Sequence, residues 1–349
     1  MQSKKKKIFG KLSLKHFTKK NNRWCYDRKT RPQLAVVDSH LHLRPFGGKP
    51  IPFPDLLKLL QKSGILFVAG YGIGQRLPTT SDCTYYLDCP GTKVTPSIKN
   101  DMYNAQAVLD NAQRGIVVGI SMTFPDLAKP KSIPPSIDFL QEEYPGMFQW
   151  MGEVNLVKQA LFKNGHVAVP KTALPKWKPF MKMLRQQNTP IAIHSDLGNN
   201  HNNWKYLPLF LQVLKLYPKN KIIWMHLGLS KQLTNINAER HCRLLNHLFE
   251  VYPNLYADIS WRVLYDTMFR EKVKEHPYIT LINTWPRRFI PGTDFIAAEH
   301  ETQKTYQKEL QATSAIFKDV NDNAFRRIAL GQNYFELAKL NYSAPSICH

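Results

Sequence analysis

The sequence predicts an α/β protein built as a (β/α)8 TIM barrel, with a basic N-terminal leader and a C-terminal helical extension. Short apolar segments typical of buried strands alternate with segments of helical periodicity, which favours a parallel sheet joined by helical crossovers. The chain has 349 residues and 43% hydrophobic content, enough to bury a large core. Histidines and acidic residues recur at the ends of the apolar segments, where a barrel presents its functional side chains.

The strand candidates are short and rich in isoleucine, valine or aromatic residues. Strands that are buried on both faces of a parallel sheet often have this composition. The last candidate has the least convincing pattern. They cover residues 34–38, 65–69, 116–121, 147–154, 190–194, 221–226, 255–260 and 289–294.

Helical periodicity lies between the strand candidates and again after the last one. The helices that connect the strands are predicted at residues 53–62, 99–113, 136–144, 176–187, 204–217, 238–252 and 263–275. The C-terminal extension is predicted to be helical at residues 299–317 and 323–340.

This pattern divides the chain into three parts. We place the leader at residues 1–31, the barrel at 32–340 and a short tail at 341–349. Within the barrel, the connections 75–98 and 155–173 are long, and each follows a strand. Such loops would lie on the active-site face, where they could form a lid or a wall for a substrate.

The net charge of +22 is unevenly distributed. Residues 1–31 contain twelve lysines and arginines and the single acid Asp27, which accounts for +11 of the total. We expect this leader to be a mobile or surface-lying arm. It could solubilise the protein, or it could bind nucleic acid or an acidic membrane surface.

No apolar segment approaches the roughly 20 residues that span a bilayer, and no secretory signal pattern is present. The five cysteines form no Cys-x-x-Cys pair. An odd number of cysteines without such spacing predicts reduced thiols, and hence a cytoplasmic protein.

His40 and His42 close the first strand candidate. Side chains at positions i and i+2 of a strand point to the same side, so these two histidines can bind one metal ion together. Further imidazoles and carboxylates occur at or near the ends of later strand candidates. These additional candidate ligands are Glu153, His194, His226 and Asp294.

Four imidazoles and two carboxylates suit Zn²⁺ best, with Mn²⁺, Ni²⁺ or Fe²⁺ as alternatives. One tetrahedral ion cannot use them all, since a catalytic zinc usually takes three protein ligands. Two ions bridged by Glu153 would use all six. Alternatively one ion binds, and Glu153 pairs with a lysine or orients a ligating histidine.

With these residues the chain resembles the amidohydrolase superfamily over nearly all of residues 34–340. The His-x-His after strand one, the histidines after strands five and six and the aspartate after strand eight match the metal centre of that family in order and in strand context. Glu153 looks like the variant in which a glutamate bridges two metal ions, as in the metal-dependent deoxyribonuclease branch. The segment 327–337 is similar to the closing helix of the family.

The resemblance implies a metal-dependent hydrolase of small molecules that cleaves an amide, ester, lactone or phosphoester. A metal ion lowers the pKa of a bound water to about 7. We expect Asp294 to take the proton from that water, and the metal with His226 or His194 to polarise the scissile bond. The alternatives are a mononuclear decarboxylase or deaminase, a metal-dependent nuclease or nucleic-acid-binding protein, and a barrel that only binds a ligand.

Residues that follow strand ends are the candidates for substrate binding. They are Tyr71, Asn155, Ser195, Trp261 and Arg262. The family tendency toward dimers implies that a homo-oligomer is possible.

Overall fold

A parallel sheet forms the centre of the molecule, and its strand order follows the chain. The computed structural model describes residues 7–8, 12–18, 24–29, 34–78, 80–267 and 276–348. Within these ranges every pairing between neighbours in the nine-stranded sheet is parallel. The strands are β1 Val37–His42, β2 Phe67–Tyr71, β3 Val117–Met122, β4 Phe148–Val157, β5 Ile191–Ser195, β6 Ile222–Trp224, β7 Leu255–Asp258, β8 Phe289–Ile290 and β9 Phe295–Ile296.

The last strands return to the first and complete the barrel. β8 pairs with β7, and β9 pairs with β1. Between them the backbone N–H of Ser39 donates to the carbonyl of Pro291 at 3.0 Å, and that of Asp294 donates to the carbonyl of His40 at 2.8 Å. The predicted (β/α)8 TIM barrel is therefore confirmed.

Helices cover the outside of the sheet and pack on its apolar residues. In α1, for example, Leu56 and Leu60 are buried one turn apart, and the helix starts just after Pro52. The helices are α1 Phe53–Lys62, α2 Lys99–Asp110, α3 Ile133–Glu143, α4 Lys178–Gln186, α5 Leu207–Leu216, α6 Ala238–Val251, α7 Arg262–Thr267, α8 Pro277–Thr284, α9 Gln303–Ser314, α10 Asp322–Ile328 and α11 Gln332–Leu337. In addition, 3-10 helices span Leu14–Phe17, Tyr86–Asp88, Pro130–Ser132, Gln159–Asn164, Lys171–Trp177, Met225–Gly228 and Ala315–Lys318.

Each strand candidate corresponds to an observed strand, and the predicted connecting helices are present with ends that differ by a few residues. α8 was not predicted, because its sequence PYITLINT is apolar and rich in β-branched residues and therefore lacks a clear helical stripe. The C-terminal segment 323–340 is divided into α10 and α11 by Gly331, whose φ of 86° ends the first helix. The second half of the helix predicted at 263–275 lies outside the described residues.

Parts of the predicted leader pack against the barrel. Phe17 is fully buried, and its ring lies 5.2 Å from that of Phe67. The strand Trp24–Tyr26 pairs with Ser346–Ile347 of the predicted tail and with Lys7–Ile8. Phe17, Cys25 and Tyr26 are buried, and the description of the leader as a mobile or surface-lying arm stays a prediction. Most of the remaining basic residues lie outside the described ranges, and the domain boundaries stay a prediction.

Two disulfides correct the expectation of reduced thiols. Cys25 is bonded to Cys348, and Cys83 is bonded to Cys89 within the long connection after β2; Cys242 is free and buried. The sequence interpretation failed because it considered only local spacing. The first pair is 323 residues apart, and it becomes adjacent only when the two ends of the chain pair as strands.

We expect the Cys25→Ser variant to be less stable than the wild type by up to about 5 kcal/mol, because cross-linking a very long loop removes much of the entropy of the unfolded chain. The matched Cys83→Ser variant opens a loop of only six residues and should lose about 2 kcal/mol. Urea unfolding of both proteins, without reductant, measures the difference. Equal losses would show that loop length does not govern the effect.

The described helices include none that is both long and apolar enough to cross a membrane.

Candidate metal centre

The carboxyl ends of the barrel strands bring the six predicted ligands together. β1 supplies His40 and His42, β4 supplies Glu153, β5 supplies His194, and the turns after β6 and β8 supply His226 and Asp294. The four histidines and Glu153 are buried, and the side chain of Asp294 is 14% exposed. The structure thus places all six residues in one buried cluster at the mouth of the barrel.

Four ligand atoms converge on the β1 side of the cluster. The Nε2 atoms of His40 and His42 lie 3.3 Å apart, and each is 3.2 Å from Oδ1 of Asp294. Oε2 of Glu153 lies 3.6 Å from the Nε2 atom of His40 and 3.3 Å from that of His42. These atoms are close enough to share one ion.

The other oxygen of Glu153 faces a second group. Oε1 contacts Nδ1 of His194 and lies 4.0 Å from Nε2 of His226. The carboxylate of Glu153 therefore lies between two sets of imidazoles, with one oxygen directed to each. This is the arrangement that a bridging ligand needs.

Each of the four histidines has one ring nitrogen that points away from the centre, here called the outward nitrogen. The acceptor next to this nitrogen shows that it carries the proton. Nδ1–H of His42 donates to the carbonyl of Gly72 at 2.9 Å, and Nε2–H of His194 donates to Asp196 at 2.9 Å. Nδ1–H of His40 donates to Asp258 at 3.1 Å. Ser260 gives its own hydroxyl hydrogen to Asp258, so it accepts one from Nδ1 of His226 at 3.0 Å. Each ring consequently presents its other nitrogen to the centre.

These inward nitrogens fit metal ions. They face carboxylate oxygens, so lone pairs oppose lone pairs unless a proton or a cation lies between them. Nε2 of His226 is buried and has no hydrogen-bond partner in the described part of the chain. A buried acceptor that has no protein partner and faces a carboxylate is suited to bind a cation.

Asp258 was missed by the sequence analysis. It ends β7 and is fully buried, and it also accepts from the backbone N–H of His226 at 3.0 Å. One carboxylate thus holds both His40 and the turn that carries His226. An acidic residue at the end of the seventh strand was the available signal.

Lys158 and Asp196 form hydrogen bonds to the second group, which consists of Glu153, His194 and His226. Nζ of Lys158 donates to Oε1 of Glu153 at 2.8 Å and is itself buried. Asp196 accepts from His194 and from the backbone N–H of Gln159 at 2.7 Å. Glu153 therefore both pairs with a lysine and contacts a histidine, the two roles considered as alternatives to bridging.

The charges of the two carboxylates are set by their neighbours. Burial alone would raise the pKa of Glu153, but the charges of Lys158 and His194 outweigh it and hold that pKa well below its usual range. Burial would likewise raise the pKa of Asp294, but the charge of His40 and smaller effects together outweigh it and lower that pKa. Both groups are anionic at neutral pH. Burial lowers the pKa of His226 to about 4, so its ring is neutral.

The backbone at His226 and Asp294 is unusual. Their φ angles are 53° and 58°, a left-handed conformation that non-glycine residues rarely adopt. Such strain is concentrated at functional sites, where the surrounding structure enforces it. Gly292 allows the turn to approach, because a Cβ atom there would lie 2.6 Å from Cβ of His40.

The predicted substrate-binding residues differ in their access to the site. Trp261 and Arg262 line a cleft of about 610 Å³ that also includes Asp294. Tyr71 and Ser195 are buried beside the candidate metal ligands and do not line this cleft, although each hydroxyl has no partner within the described ranges. Asn155 donates to Gln75 at 3.2 Å instead.

The long connection after β2 forms one wall of the cleft. It contributes Thr84, Tyr85 and Asp88, and the Cys83–Cys89 disulfide lies at this point. Tyr86 packs its ring 4.4 Å from that of Phe46, which follows β1. Contact of this wall with a substrate stays a prediction.

Replacing Asp258 with asparagine should weaken metal binding by about 10–100-fold, the usual effect of losing a partner that orients a ligating histidine. The neutral amide keeps the shape but no longer attracts the Nδ1–H of His40. Competition with a chelating indicator measures the affinity. The exposed Asp55→Asn variant is the control, and equal affinities of the two variants would contradict this role of Asp258.

Metal affinity should also fall at low pH. Burial lowers the pKa of His40, but Asp258 and Asp294 outweigh it and raise that pKa well above its ordinary value. The metal-free protein therefore carries a proton on His40 below the raised pKa, and a metal ion must displace it. Affinity measured between pH 6 and 8 should rise with pH, by about ten-fold per unit for each proton displaced. A pH-independent affinity would exclude this competition.

Several solved structures have a fold similar to that of this chain. The sequence matches no family model, and it matches no curated protein. Among solved structures, an amidohydrolase from Burkholderia multivorans with bound zinc has a TM-score of 0.53 and 11% identity, over 88% of this chain and 99% of that one. A protein from Agrobacterium tumefaciens has a TM-score of 0.52 and 15% identity, over 89% and 96%.

A probable 2-pyrone-4,6-dicarboxylic acid hydrolase from Acinetobacter baumannii, with citric acid bound, has a TM-score of 0.51 and 13% identity. It is matched over 87% of this chain and 98% of that chain. At these identities the likeness shows the fold alone. The chain has the barrel of amidohydrolase structures, as the resemblance implied.

Proposed function

We propose that this protein is a metal-dependent hydrolase of small molecules. The position of Glu153 carries the proposal: its two oxygens face two groups of imidazoles whose outward nitrogens are already engaged. His40, His42 and Asp294 would hold one ion, and His194 and His226 would hold a second. When bound, such ions supply a water of lowered pKa and polarise the bond to be cleaved.

Zn²⁺ is the metal that we propose first. Imidazole and carboxylate ligands suit it, and Mn²⁺, Ni²⁺ and Fe²⁺ bind similar sets. The similar barrel from Burkholderia multivorans has zinc bound. The ligand set therefore supports Zn²⁺ without selecting it uniquely.

The residues of the chain supply the proton transfer and the orientation of the substrate. Asp294 is anionic and lines the cleft, so it can accept a proton from an attacking water and return it to the leaving group. Neutral His226, held through Ser260, keeps its Nε2 lone pair directed inward. We therefore assign His226 to metal binding, and its predicted role in polarising the scissile bond stays a prediction.

The cleft sets the size of the substrate. A volume of about 610 Å³ is typical of sites for small molecules. Trp261 offers an apolar face next to His226, at 4.9 Å between ring centroids. Arg262 is held by Asp266 at 3.1 Å, so its charge is largely compensated. Amides, esters, lactones and phosphoesters all remain candidate substrates.

One observation favours a second candidate, a mononuclear enzyme such as a decarboxylase or deaminase. The ammonium group of Lys158 already contacts Oε1 of Glu153, the oxygen that would bind a second ion. A fixed cation at this position opposes another cation. The Lys158→Met variant should then bind one more ion than the wild type if the lysine excludes it.

Localisation and further partners stay predictions. The two disulfides remove the argument from reduced thiols for the cytoplasm, since disulfides form mainly in oxidising compartments. Binding of nucleic acid or of an acidic membrane through the leader concerns residues that lie largely outside the described ranges. Homo-oligomer formation is equally a prediction.

A chelation experiment tests the proposed activity. Protein purified without chelator is assayed on a panel of small esters, lactones, amides and phosphoesters, before and after treatment with a chelator. We expect at least one class to be hydrolysed, the activity to be lost on chelation, and Zn²⁺ or Mn²⁺ to restore it. Metal-loaded protein that hydrolyses none of these classes would contradict the proposal.

A further inference from the structure

The opposite end of the barrel contains a second cavity, of about 620 Å³. Three of its lining residues, Lys221, Pro253 and Arg288, come just before β6, β7 and β8. The amino ends of parallel strands meet at one face, so this cavity lies on the face away from the metal centre. We call it the basal pocket. It is separate from the cleft that contains Asp294.

Positive charge is concentrated in the basal pocket. Lys221, Arg287 and Arg288 line it, and Glu336 is the only acidic residue among its lining. Glu336 is already engaged, at 3.4 Å from Arg327. Within the described ranges, neither Lys221 nor Arg287 forms an ion pair or a side-chain hydrogen bond.

Lys221 also lies near a further cation, Lys339, which is not part of the pocket lining. Burial and the nearby charge of Lys339 both lower the pKa of Lys221. Bringing like charges together costs free energy unless an anion compensates them. Within the described ranges no carboxylate lies within ion-pair distance of Lys221 or Arg287, and Glu336, the acidic residue of the lining, pairs with Arg327.

The walls of the basal pocket are held in place. Arg288 donates to the carbonyl of Pro253, and its guanidinium lies 5.8 Å from the ring of Tyr256 and 5.9 Å from that of Trp285. Trp285 in turn donates from Nε1 to Asn246 at 2.8 Å. A ligand would therefore meet a preformed site, which lowers the cost of binding.

We propose that the basal pocket binds a small organic phosphate. A phosphate monoester carries nearly two negative charges at neutral pH and has three strong acceptor oxygens, which suits Lys221 and Arg287 better than a single carboxylate does. The half-buried rings of Tyr256 and Trp285 provide a flat surface for the organic part of the ligand. The volume accommodates a molecule of this size.

Isothermal titration of the metal-loaded, full-length protein tests the proposal with two ligands, phenyl phosphate and inorganic phosphate. We expect saturable binding of both, with phenyl phosphate bound more tightly because its ring can contact Trp285. Equal affinities would assign the site to free phosphate and overturn the organic part of the proposal. Absence of saturable binding would overturn it entirely.

A double variant locates the binding. Lys221→Met with Arg287→Ala should weaken phenyl phosphate by at least about ten-fold, the effect expected for losing charged hydrogen bonds. Lys131→Met with Arg114→Ala removes the same charge from exposed positions elsewhere and should leave the affinity unchanged. Equal weakening in both would mean unspecific attraction to a basic protein. Unchanged binding in the first variant would place the ligand elsewhere, for example at the metal centre.

Discussion

Replacing His40 with alanine is expected to remove the metal from the β1 side of the centre and to reduce hydrolysis by about three orders of magnitude or more. His40 contributes an inward Nε2 atom that lies within 3.6 Å of Glu153 and Asp294. It also neutralises Asp258, which is buried. The reaction loses a water whose pKa is lowered from 15.7 to about 7, so the loss should appear in kcat. Metal content and kcat are measured on the same preparation.

The matched control is His247→Ala. This histidine is exposed on α6, away from the centre. Its replacement should change neither metal content nor kcat. Because His40→Ala also removes one hydrogen-bond donor from the buried Asp258, thermal unfolding of both variants is needed. A folded His40→Ala protein with full metal content would show that His40 is not a ligand.

The Asp294→Asn variant should lose roughly 10²–10⁴-fold in kcat, the usual contribution of a general base. Asparagine keeps the size of the side chain and one oxygen near His40 and His42, but it cannot accept a proton. Metal content should fall less than in His40→Ala, because the imidazoles and Glu153 remain. The measurement compares kcat and metal content of the two variants.

The pH dependence of the rate shows whether Asp294 acts as a general base or only binds metal. If Asp294 takes the proton, then the rate of the variant should rise with pH as hydroxide replaces the lost base, while the wild-type rate should be flat over the same range above the low pKa of Asp294. Parallel profiles for the two proteins would assign Asp294 to metal binding alone.

The clustering of the six candidate ligands could be predicted because two simple rules apply to them. Residues i and i+2 of one strand share a face, which pairs His40 with His42. The carboxyl ends of parallel strands meet at one edge, which gathers Glu153 and His194 with them. Neither rule needs knowledge of distant contacts, so a single sequence was sufficient.

The supporting residues could not be predicted, because their roles depend on contacts between distant parts of the chain. Asp258 meets His40 across 218 residues, and nothing near either residue in the sequence indicates the contact. Lys158 directly follows β4, which extends to Val157, and its side chain turns back to Glu153. The expectation of reduced thiols was wrong for the same reason, since Cys25 and Cys348 are far apart in the sequence.

Position at a strand end also proved insufficient to identify a substrate contact. Tyr71 ends β2 and Ser195 ends β5, yet both side chains are fully covered. Trp261 has a φ of 75°, a left-handed conformation, and reaches the cleft from the loop after β7. Which face a loop residue presents is decided by its backbone conformation, and periodicity does not reveal it.

The number of metal ions per chain is the measurement that tests the account most directly. Mass spectrometry on protein purified without chelator should find close to two ions per wild-type chain, because the two oxygens of Glu153 face two separate groups of imidazoles. One ion per chain would support the mononuclear alternative with Lys158 in place of the second cation. No bound metal, even after reconstitution with Zn²⁺ or Mn²⁺, would contradict the metal-dependent hydrolase.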